Sequence, residues 1–304
     1  MVGGRATRAT LGAVGALLGA TLFWAGNYVV GAEAVRSLSP LSLTLLRWAI
    51  AAVPLLILAQ VLEKPDWRAV LRAWPWLLAL SVTGMLGYNL LLYSALAHTS
   101  ALSASLINAF NPALITLAAV IFLRERLTTR SVGGVLVALV GVVIVLSGGD
   151  VTRLVSPAGF GWGELAMLGA IVAWTAYTII GRRAPRLPPT TSTAAQAVIA
   201  VVALLPFLAV EGAVTLPATP AALGALLYIA IFPSVLSYLL WNRALDVIPP
   251  SRAGVFLNLI TVFTAILTLL LGQPVEAAQL VGGAIILGGI ALASTRPRSA
   301  APDA

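Results

Sequence analysis

Ten apolar runs, most of them about as long as a membrane-crossing helix, are the feature that most constrains the fold of this chain. They occupy residues 10–31, 41–62, 73–95, 101–122, 132–147, 160–181, 193–211, 221–242, 253–271 and 278–294. A helix needs about 20 mainly apolar residues to cross a hydrocarbon core of about 30 Å. Backbone groups cannot stay unpaired in lipid, and these runs are too long for barrel strands. The sequence therefore predicts an all-α polytopic membrane protein with ten transmembrane helices.

The composition excludes a soluble enzyme. Of the 304 residues, 60% are hydrophobic and 9% are charged, whereas about a quarter of an average soluble domain is charged. Cysteine is absent and His98 is the one histidine, so we expect no disulfide, no metal site, no cofactor and no catalytic residue. A membrane-embedded enzyme would need clustered acids, histidines or serine–base pairs at membrane depth, and the sequence contains none.

The distribution of basic residues predicts the orientation in the membrane. Fifteen of the 18 Lys and Arg residues fall in connections on one side, only Arg36 and Arg153 fall on the other, and Arg47 lies inside the second run. Cytoplasmic connections carry the excess of Lys and Arg, so both termini are expected in the cytoplasm. The net charge of +8 is thus explained by topology in a bacterial inner membrane, and no nucleic-acid partner is expected.

An internal repeat appears when the chain is compared with itself at an offset near 150. The matching positions are Trp24 with Trp174, Gly31 with Gly181, Ala95-Leu96 with Ala244-Leu245, Gly134 with Gly282, and Gly141 with Gly289. Each half holds five runs, an odd number, so the halves have opposite orientations, an arrangement typical of secondary transporters. We predict one five-helix repeat at 1–148, an inverted repeat at 158–296 and a cytoplasmic tail at 297–304. Such a chain is expected to function as a monomer in the lipid bilayer.

Several segments resemble the drug/metabolite transporter superfamily, in its ten-helix EamA-type branch. They are Phe23 to Asn27, Asn111-Pro112, Phe122 to Thr128 and Leu271 to Glu276. The chain departs from the family pattern at Gln273, where the family usually has Glu. The resemblance implies a transporter with a central cavity, and the branch includes exporters of amino acids, with aromatic amino-acid exporters among the plausible relatives.

Polar and aromatic side chains at membrane depth are the candidates for binding a small-molecule solute. The predicted substrate-binding residues are Trp24, Asn27, Tyr28, Tyr88, Asn89, Asn108, Asn111, Trp174, Tyr177, Tyr238 and Asn258. Such side chains face the interior of a bundle, where they either line a cavity or bridge neighbouring helices. Trp241 could belong to the cavity or to the membrane interface, whereas Trp162 is expected at the interface. Pro112 and Pro233 lie mid-run, where each permits a kink.

Arg47 is the one strongly basic residue within a run, close to its outer end. We expect its side chain to extend towards the membrane interface, as long basic side chains often do. The alternative is that Arg47 binds a carboxylate of the solute.

The lack of mid-membrane acids bears on the energy source. No Asp or Glu lies near the middle of any run, whereas proton-coupled transporters use ionisable groups there. The chain also lacks a Walker A sequence. These features favour facilitated export, by alternating access, of amino acids, with hydrophobic or aromatic ones favoured, or of related small metabolites. The alternatives are a proton-coupled multidrug or other metabolite exporter and, given the inverted repeat, less readily a channel.

Overall fold

The computed structural model describes residues 2–124, 129–150, 152, 161–211, 214–248, 253 and 256–294. All regular elements within these residues are helical, as the sequence predicts. The first half contains α1 (Val2–Ala34), α2 (Pro40–Leu58, continued by Ala59–Glu63), α3 (Trp74–Leu80, Ser81–Gly87 and Tyr88–Leu96), α4 (Ala101–Ala109 and Asn111–Leu123) and α5 (Thr129–Ser147). A short helix, Trp67–Arg72, precedes α3.

The second half repeats this order. It contains α6 (Trp162–Gly181), α7 (Pro189–Glu211), α8 (Pro220–Ile231, Phe232–Leu236 and Ser237–Leu245), α9 (Leu259–Leu270) and α10 (Ala277–Ser294). Among the described residues, seven helices are long and apolar enough to cross a membrane, and α5, α9 and α10 contain shorter apolar helices. Together they account for the ten predicted membrane segments.

Three helices contain π-helical turns among the described residues, at Ala59–Glu63 in α2, Ser81–Gly87 in α3 and Phe232–Leu236 in α8. The turns in α3 and α8 lie at equivalent places in the two halves. In such turns the hydrogen bonds span five residues, and they are frequent at functional sites. In α8 the cause is visible in the sequence, because Pro233 has no backbone N–H to donate. The predicted interruption at Pro112 is also confirmed, since α4 breaks at Phe110.

The contacts between helices follow a twofold pattern that relates the two halves. Helix α5 packs along α10, and α2 packs along α7. Helix α1 packs against α8 and α9, while its counterpart α6 packs against α3 and α4. Exchanging the halves therefore reproduces the contacts, as expected for two five-helix repeats whose helices interdigitate.

Glycines bring α5 and α10 into direct backbone contact. A Cβ atom added to Gly141 would lie 2.6 Å from the carbonyl oxygen of Gly282, and one added to Gly289 would lie 2.5 Å from the backbone nitrogen of Ala138. Small residues at such positions allow close packing of membrane helices, where apolar burial alone supplies little driving force. The glycines that revealed the sequence repeat thus also form the contact between its two copies.

Helices α2 and α7 are joined by a capping carboxylate. Glu63, at the end of α2, accepts hydrogen bonds from the backbone N–H groups of Thr190 at 2.8 Å and Thr191 at 2.7 Å. It also accepts the Thr191 hydroxyl at 2.6 Å. A carboxylate at a helix N-terminus satisfies N–H groups that have no partner within the helix. This contact holds the ends of α2 and α7 together beside the mouth of the cavity described below.

Parts of the predicted organisation fall outside the described residues. The proposed cytoplasmic tail at 297–304 and part of the beginning of the ninth run belong to this group. The repeat boundaries, 1–148 and 158–296, remain a prediction.

The α5–α10 contact can be tested with two neighbouring glycines. Gly289→Val should lower the thermal stability of the purified protein, because overpacking typically costs about 1–3 kcal/mol. Gly288→Val is the matched control, since nothing lies within 4 Å of a Cβ added there. Size-exclusion chromatography after heating measures both variants. Equal stability of the two variants would contradict the proposed close contact.

Candidate functional site

A cavity of about 710 Å³ lies between the two halves. All eleven residues predicted from the sequence line it: Trp24, Asn27, Tyr28, Tyr88, Asn89, Asn108, Asn111, Trp174, Tyr177, Tyr238 and Asn258. Their depth in the apolar runs and their helical spacing were sufficient to predict that they share one cavity. Their role in binding a solute stays a prediction. Helices α2 and α7 also contribute, through Arg47, for which binding of a carboxylate was the alternative expectation, and Gln196, which the sequence did not indicate.

The cavity reaches one end of the bundle. Its lining extends to the α6–α7 connection, where Arg182, Pro185 and Arg186 lie. None of the described residues in the connections at the opposite end lines it. There the Thr99 hydroxyl donates to Glu164 at 2.7 Å, which joins the α3–α4 turn to the start of α6.

A second contact closes the same end. The Gln279 side chain donates to the Ser103 hydroxyl at 2.9 Å, which links the start of α10 to the start of α4. The structure is therefore open at one face and closed at the other.

Two aromatic clusters line the cavity. Trp24 of α1 contacts Tyr238 and Trp241 of α8, with ring centroids 5.7 and 5.5 Å away. Trp174 of α6 contacts Tyr88 and Tyr177, with centroids 5.0 and 4.9 Å away. Each cluster joins a helix of one half to a helix of the other, and the matching tryptophans Trp24 and Trp174 occupy equivalent places. Trp241, for which the sequence allowed either the cavity or the membrane interface, lines the cavity.

Phenol and amide side chains of the lining also form hydrogen bonds between helices. The Tyr28 and Tyr88 hydroxyls are 2.8 Å apart, and the Tyr88 hydroxyl lies 3.4 Å from the Asn108 side-chain oxygen. The Asn111 side-chain oxygen accepts the Thr175 hydroxyl at 3.2 Å. Several of the predicted polar residues thus both bridge helices and line the cavity. The two roles that the sequence left open for them, lining the cavity and bridging helices, are compatible.

The prediction for Arg47 is wrong, because its side chain turns inward instead of extending to the interface. Arg47 is 4% exposed. Its Nη1 atom donates to the Asn89 side-chain oxygen and to the Tyr93 hydroxyl, both at 2.6 Å. Its Nε atom donates to the Ser234 hydroxyl at 2.7 Å. This hydrogen-bonding cage holds the guanidinium through Nε and Nη1, and no sequence pattern showed the cage.

Pro233 explains why Ser234 is available to Arg47. Proline has no N–H to donate to the carbonyl of Ile229, four residues earlier. The Ser234 hydroxyl donates to that carbonyl at 2.7 Å and thereby presents its oxygen to Arg47. The Trp24 indole N–H donates to the Pro233 carbonyl at 3.1 Å. In the interrupted helix, the carbonyl groups of Ile229 and Pro233 thus accept hydrogen bonds from the side chains of Ser234 and Trp24.

The widened turn of α3 positions Asn89 in the same way. The Asn89 amide nitrogen donates to the carbonyl oxygens of Met85 at 2.8 Å and Gly84 at 3.2 Å. This fixes the amide so that its oxygen faces Arg47. The Trp48 indole N–H also donates to the Met85 carbonyl, at 3.3 Å. The unusual turn therefore fixes an acceptor for the buried charge.

The charge of the lining is positive. The described residues around the cavity include Arg47, Arg182 and Arg186 and contain no Asp or Glu. Glu63, at the end of α2, caps the start of α7 with its carboxylate. A cavity with this lining attracts anionic groups.

Two five-helix repeats around a polar and aromatic cavity, open at one face, are an architecture typical of membrane transporters. The comparisons with known proteins identify the family. The EamA-like transporter family matches residues 11–147 and 161–295. The chain belongs to this family and is a multi-pass membrane transporter.

Relatives cover nearly the whole chain. The uncharacterized transporter YyaM of Bacillus subtilis (strain 168) is 29% identical over 91% of this chain and 92% of its own length. A probable terminal-alkyne amino-acid exporter of Streptantibioticus cattleyicolor is 28% identical over 93% and 94%. One solved crystal structure, 22% identical, superposes with a TM-score of 0.63 over 94% of this chain and 96% of its own. At that identity the likeness supports the fold alone.

The role of Ser234 gives a stability prediction. Ser234→Ala should lower the thermal midpoint by a few degrees, because the Ile229 carbonyl and the Arg47 Nε group would both lose a buried partner, at about 1–3 kcal/mol. Ser37→Ala is the control, since Ser37 lies in an exposed turn and donates only at 3.3 Å. Thermal unfolding in detergent measures both. An unchanged midpoint for Ser234→Ala would contradict its double role.

Proposed function

We propose that the protein is an inner-membrane secondary transporter that exports amino acids, with hydrophobic or aromatic ones favoured. The observation that carries this proposal is the cavity, which combines two aromatic clusters with buried amides and a buried guanidinium. Ligand pockets typically measure about 300–1,000 Å³ and contain apolar walls with a few placed polar groups. The volume of about 710 Å³ falls in this range. We propose transport of a small-molecule solute by a single chain, with no nucleic acid and no catalytic step.

The two kinds of lining residue suit the two parts of such a solute. The clusters around Trp24 and Trp174 offer apolar faces to a hydrophobic side chain. Asn27, Asn108 and Tyr28 offer neutral donors and acceptors to the polar end. The relative from Streptantibioticus, a probable exporter of a terminal-alkyne amino acid, supports the same solute class.

We propose alternating access as the mechanism. With both termini in the cytoplasm, as the distribution of Lys and Arg predicts, the α6–α7 connection faces the cytoplasm. The open cavity then represents an inward-facing state, in which a solute enters from the cell interior. Export would require the contacts at the far end, including Thr99 with Glu164, to separate while the cytoplasmic mouth closes.

A proton-coupled exporter of cationic drugs is the second candidate. The lining disfavours it, because the described residues around the cavity include three arginines and no carboxylate to hold a proton or an organic cation. We therefore favour facilitated export driven by the gradient of the solute itself.

Transport by the pure protein tests the proposal. Proteoliposomes should release labelled phenylalanine faster than empty liposomes, and Trp24→Ala and Asn108→Ala should reduce the rate about tenfold or more by removing lining contacts. Trp162→Ala is the matched control, since Trp162 is exposed at the start of α6 and should leave the rate unchanged.

Two results would contradict this proposal. Release no faster than from empty liposomes, for phenylalanine and for a panel of other amino acids, would exclude amino-acid export. Loss of transport when only the pH gradient is collapsed would favour the proton-coupled alternative.

The orientation of the cavity can be tested by cysteine labelling, because the natural chain contains no cysteine. Ser192→Cys lies in the cavity lining near the α6–α7 connection. It should react with a membrane-impermeant maleimide in inside-out vesicles and not in right-side-out ones. Ser37→Cys, in the exposed turn after α1, should show the reverse. The opposite pattern for the two variants would invert the proposed topology.

A further inference from the structure

Arg47 is a buried cation without a carboxylate partner in the described part of the chain. Its described partners are the neutral side chains of Ser234, Asn89, Tyr93 and, at 3.4 Å, Asn27. Moving a charge out of water is costly, and buried charges are normally paired with an opposite charge. The cage satisfies hydrogen bonds of Arg47, and the Trp48 ring centroid lies 4.9 Å from the guanidinium carbon in a cation–π contact. No described carboxylate neutralises the charge.

The guanidinium is only partly used by this cage. Nε and Nη1 carry its hydrogen bonds, and no described residue accepts one from Nη2. Arg47 also lines the cavity. Of the five N–H donors of the guanidinium, the one on Nε and the two on Nη1 are engaged, which leaves the two on Nη2 to donate to a carboxylate. Its charge and its remaining donors are therefore available to a bound group.

The surroundings of Arg47 define what such a group is attached to. Trp24 donates to the carbonyl of Pro233, next to the Ser234 that holds Arg47. Trp24 in turn contacts Tyr238 and Trp241. The turn that holds the guanidinium is thus linked to an aromatic cluster that suits an apolar body.

The ammonium group of an amino acid has no comparable partner. The described lining contains no Asp or Glu, and the arginines at the mouth, Arg182 and Arg186, repel cations. A phosphate ester would be served less well than a carboxylate, because Arg47 is the lone basic residue among the described lining residues of the membrane helices away from the mouth.

We propose that Arg47 binds the carboxylate of the transported solute, and that this carboxylate, rather than an amino group, is what the site recognises. The substrate class is an apolar or aromatic body that bears one carboxylate, with or without an amino group. This inference rests on the proposed function, in that it assigns the cavity to the solute. Asn89 and Ser234 act as positioning residues that hold the guanidinium in place.

Matched probes separate the contributions of the two charged groups. Binding to the purified full-length protein in detergent is measured calorimetrically for phenylalanine, 3-phenylpropionate, 3-phenylpropanamide and phenethylamine. The wild-type protein should bind phenylalanine and 3-phenylpropionate, and should bind phenethylamine at least about tenfold more weakly, as expected for the loss of a charge-assisted hydrogen bond.

Variants then test the residue itself. Arg47→Gln should weaken binding of 3-phenylpropionate about tenfold or more and leave the affinity for 3-phenylpropanamide unchanged, which also shows that the cavity is intact. Arg47→Lys, which keeps the charge, should bind 3-phenylpropionate more weakly than the wild type and more tightly than Arg47→Gln. Arg36→Gln removes a charge from an arginine whose side chain is 74% exposed and should bind all probes like the wild type.

The inference is overturned if Arg47→Gln binds 3-phenylpropionate as tightly as the wild type does. It is equally overturned if the wild type binds phenethylamine as well as it binds 3-phenylpropionate, or binds no carboxylate probe. Carboxylate binding through Arg47 combined with no release of amino acids from proteoliposomes would instead reject amino-acid export and keep the carboxylate site.

Discussion

Within the hydrocarbon core of a bilayer, every backbone N–H and C=O group must find its partner inside the protein. This constraint shapes the site, because α3 and α8 both contain widened turns where regular hydrogen bonding is interrupted. Asn89 satisfies carbonyl groups of the first turn, and Ser234 satisfies the carbonyl of Ile229 beside the second. The same two side chains then hold Arg47. The side chains that satisfy the backbone in these turns are thus the same ones that position the buried charge of the cavity.

The two repeats have the same order and packing of helices, but they differ in the charge that each contributes at the position of Arg47. Trp24 and Trp174 occupy equivalent places, and each leads an aromatic cluster that crosses between the repeats. At the offset of 149 seen elsewhere in the chain, the counterpart of Arg47 is Gln196. Twofold packing therefore creates the cavity, while one unmatched guanidinium gives it a polar end. An asymmetric solute with one anionic group suits this arrangement.

The elements that the sequence predicted well are those that depend on local physics. Apolar runs of membrane length predicted ten helices, and Pro112 and Pro233 predicted interruptions, because a missing N–H acts within one turn of its own helix. The widening of α3 at Ser81–Gly87 had no such signal, since no proline lies in that segment. Gly141 and Gly289 were recognised as repeat positions, but the sequence did not show that their helices contact each other.

The sequence by itself determined which side chains lie at membrane depth and face inward, since the cost of exposing amides and phenols to lipid acts on each helix separately. That was sufficient to place Trp24, Asn108 and Tyr238 in one cavity. Whether the Arg47 side chain turns inward or outward was decided only by the tertiary structure. Near a helix end, a long basic side chain can reach water or turn inward, and the choice depends on whether acceptors from other helices are in place. Ser234 lies 187 positions away in the chain, so only the folded bundle could bring it to Arg47.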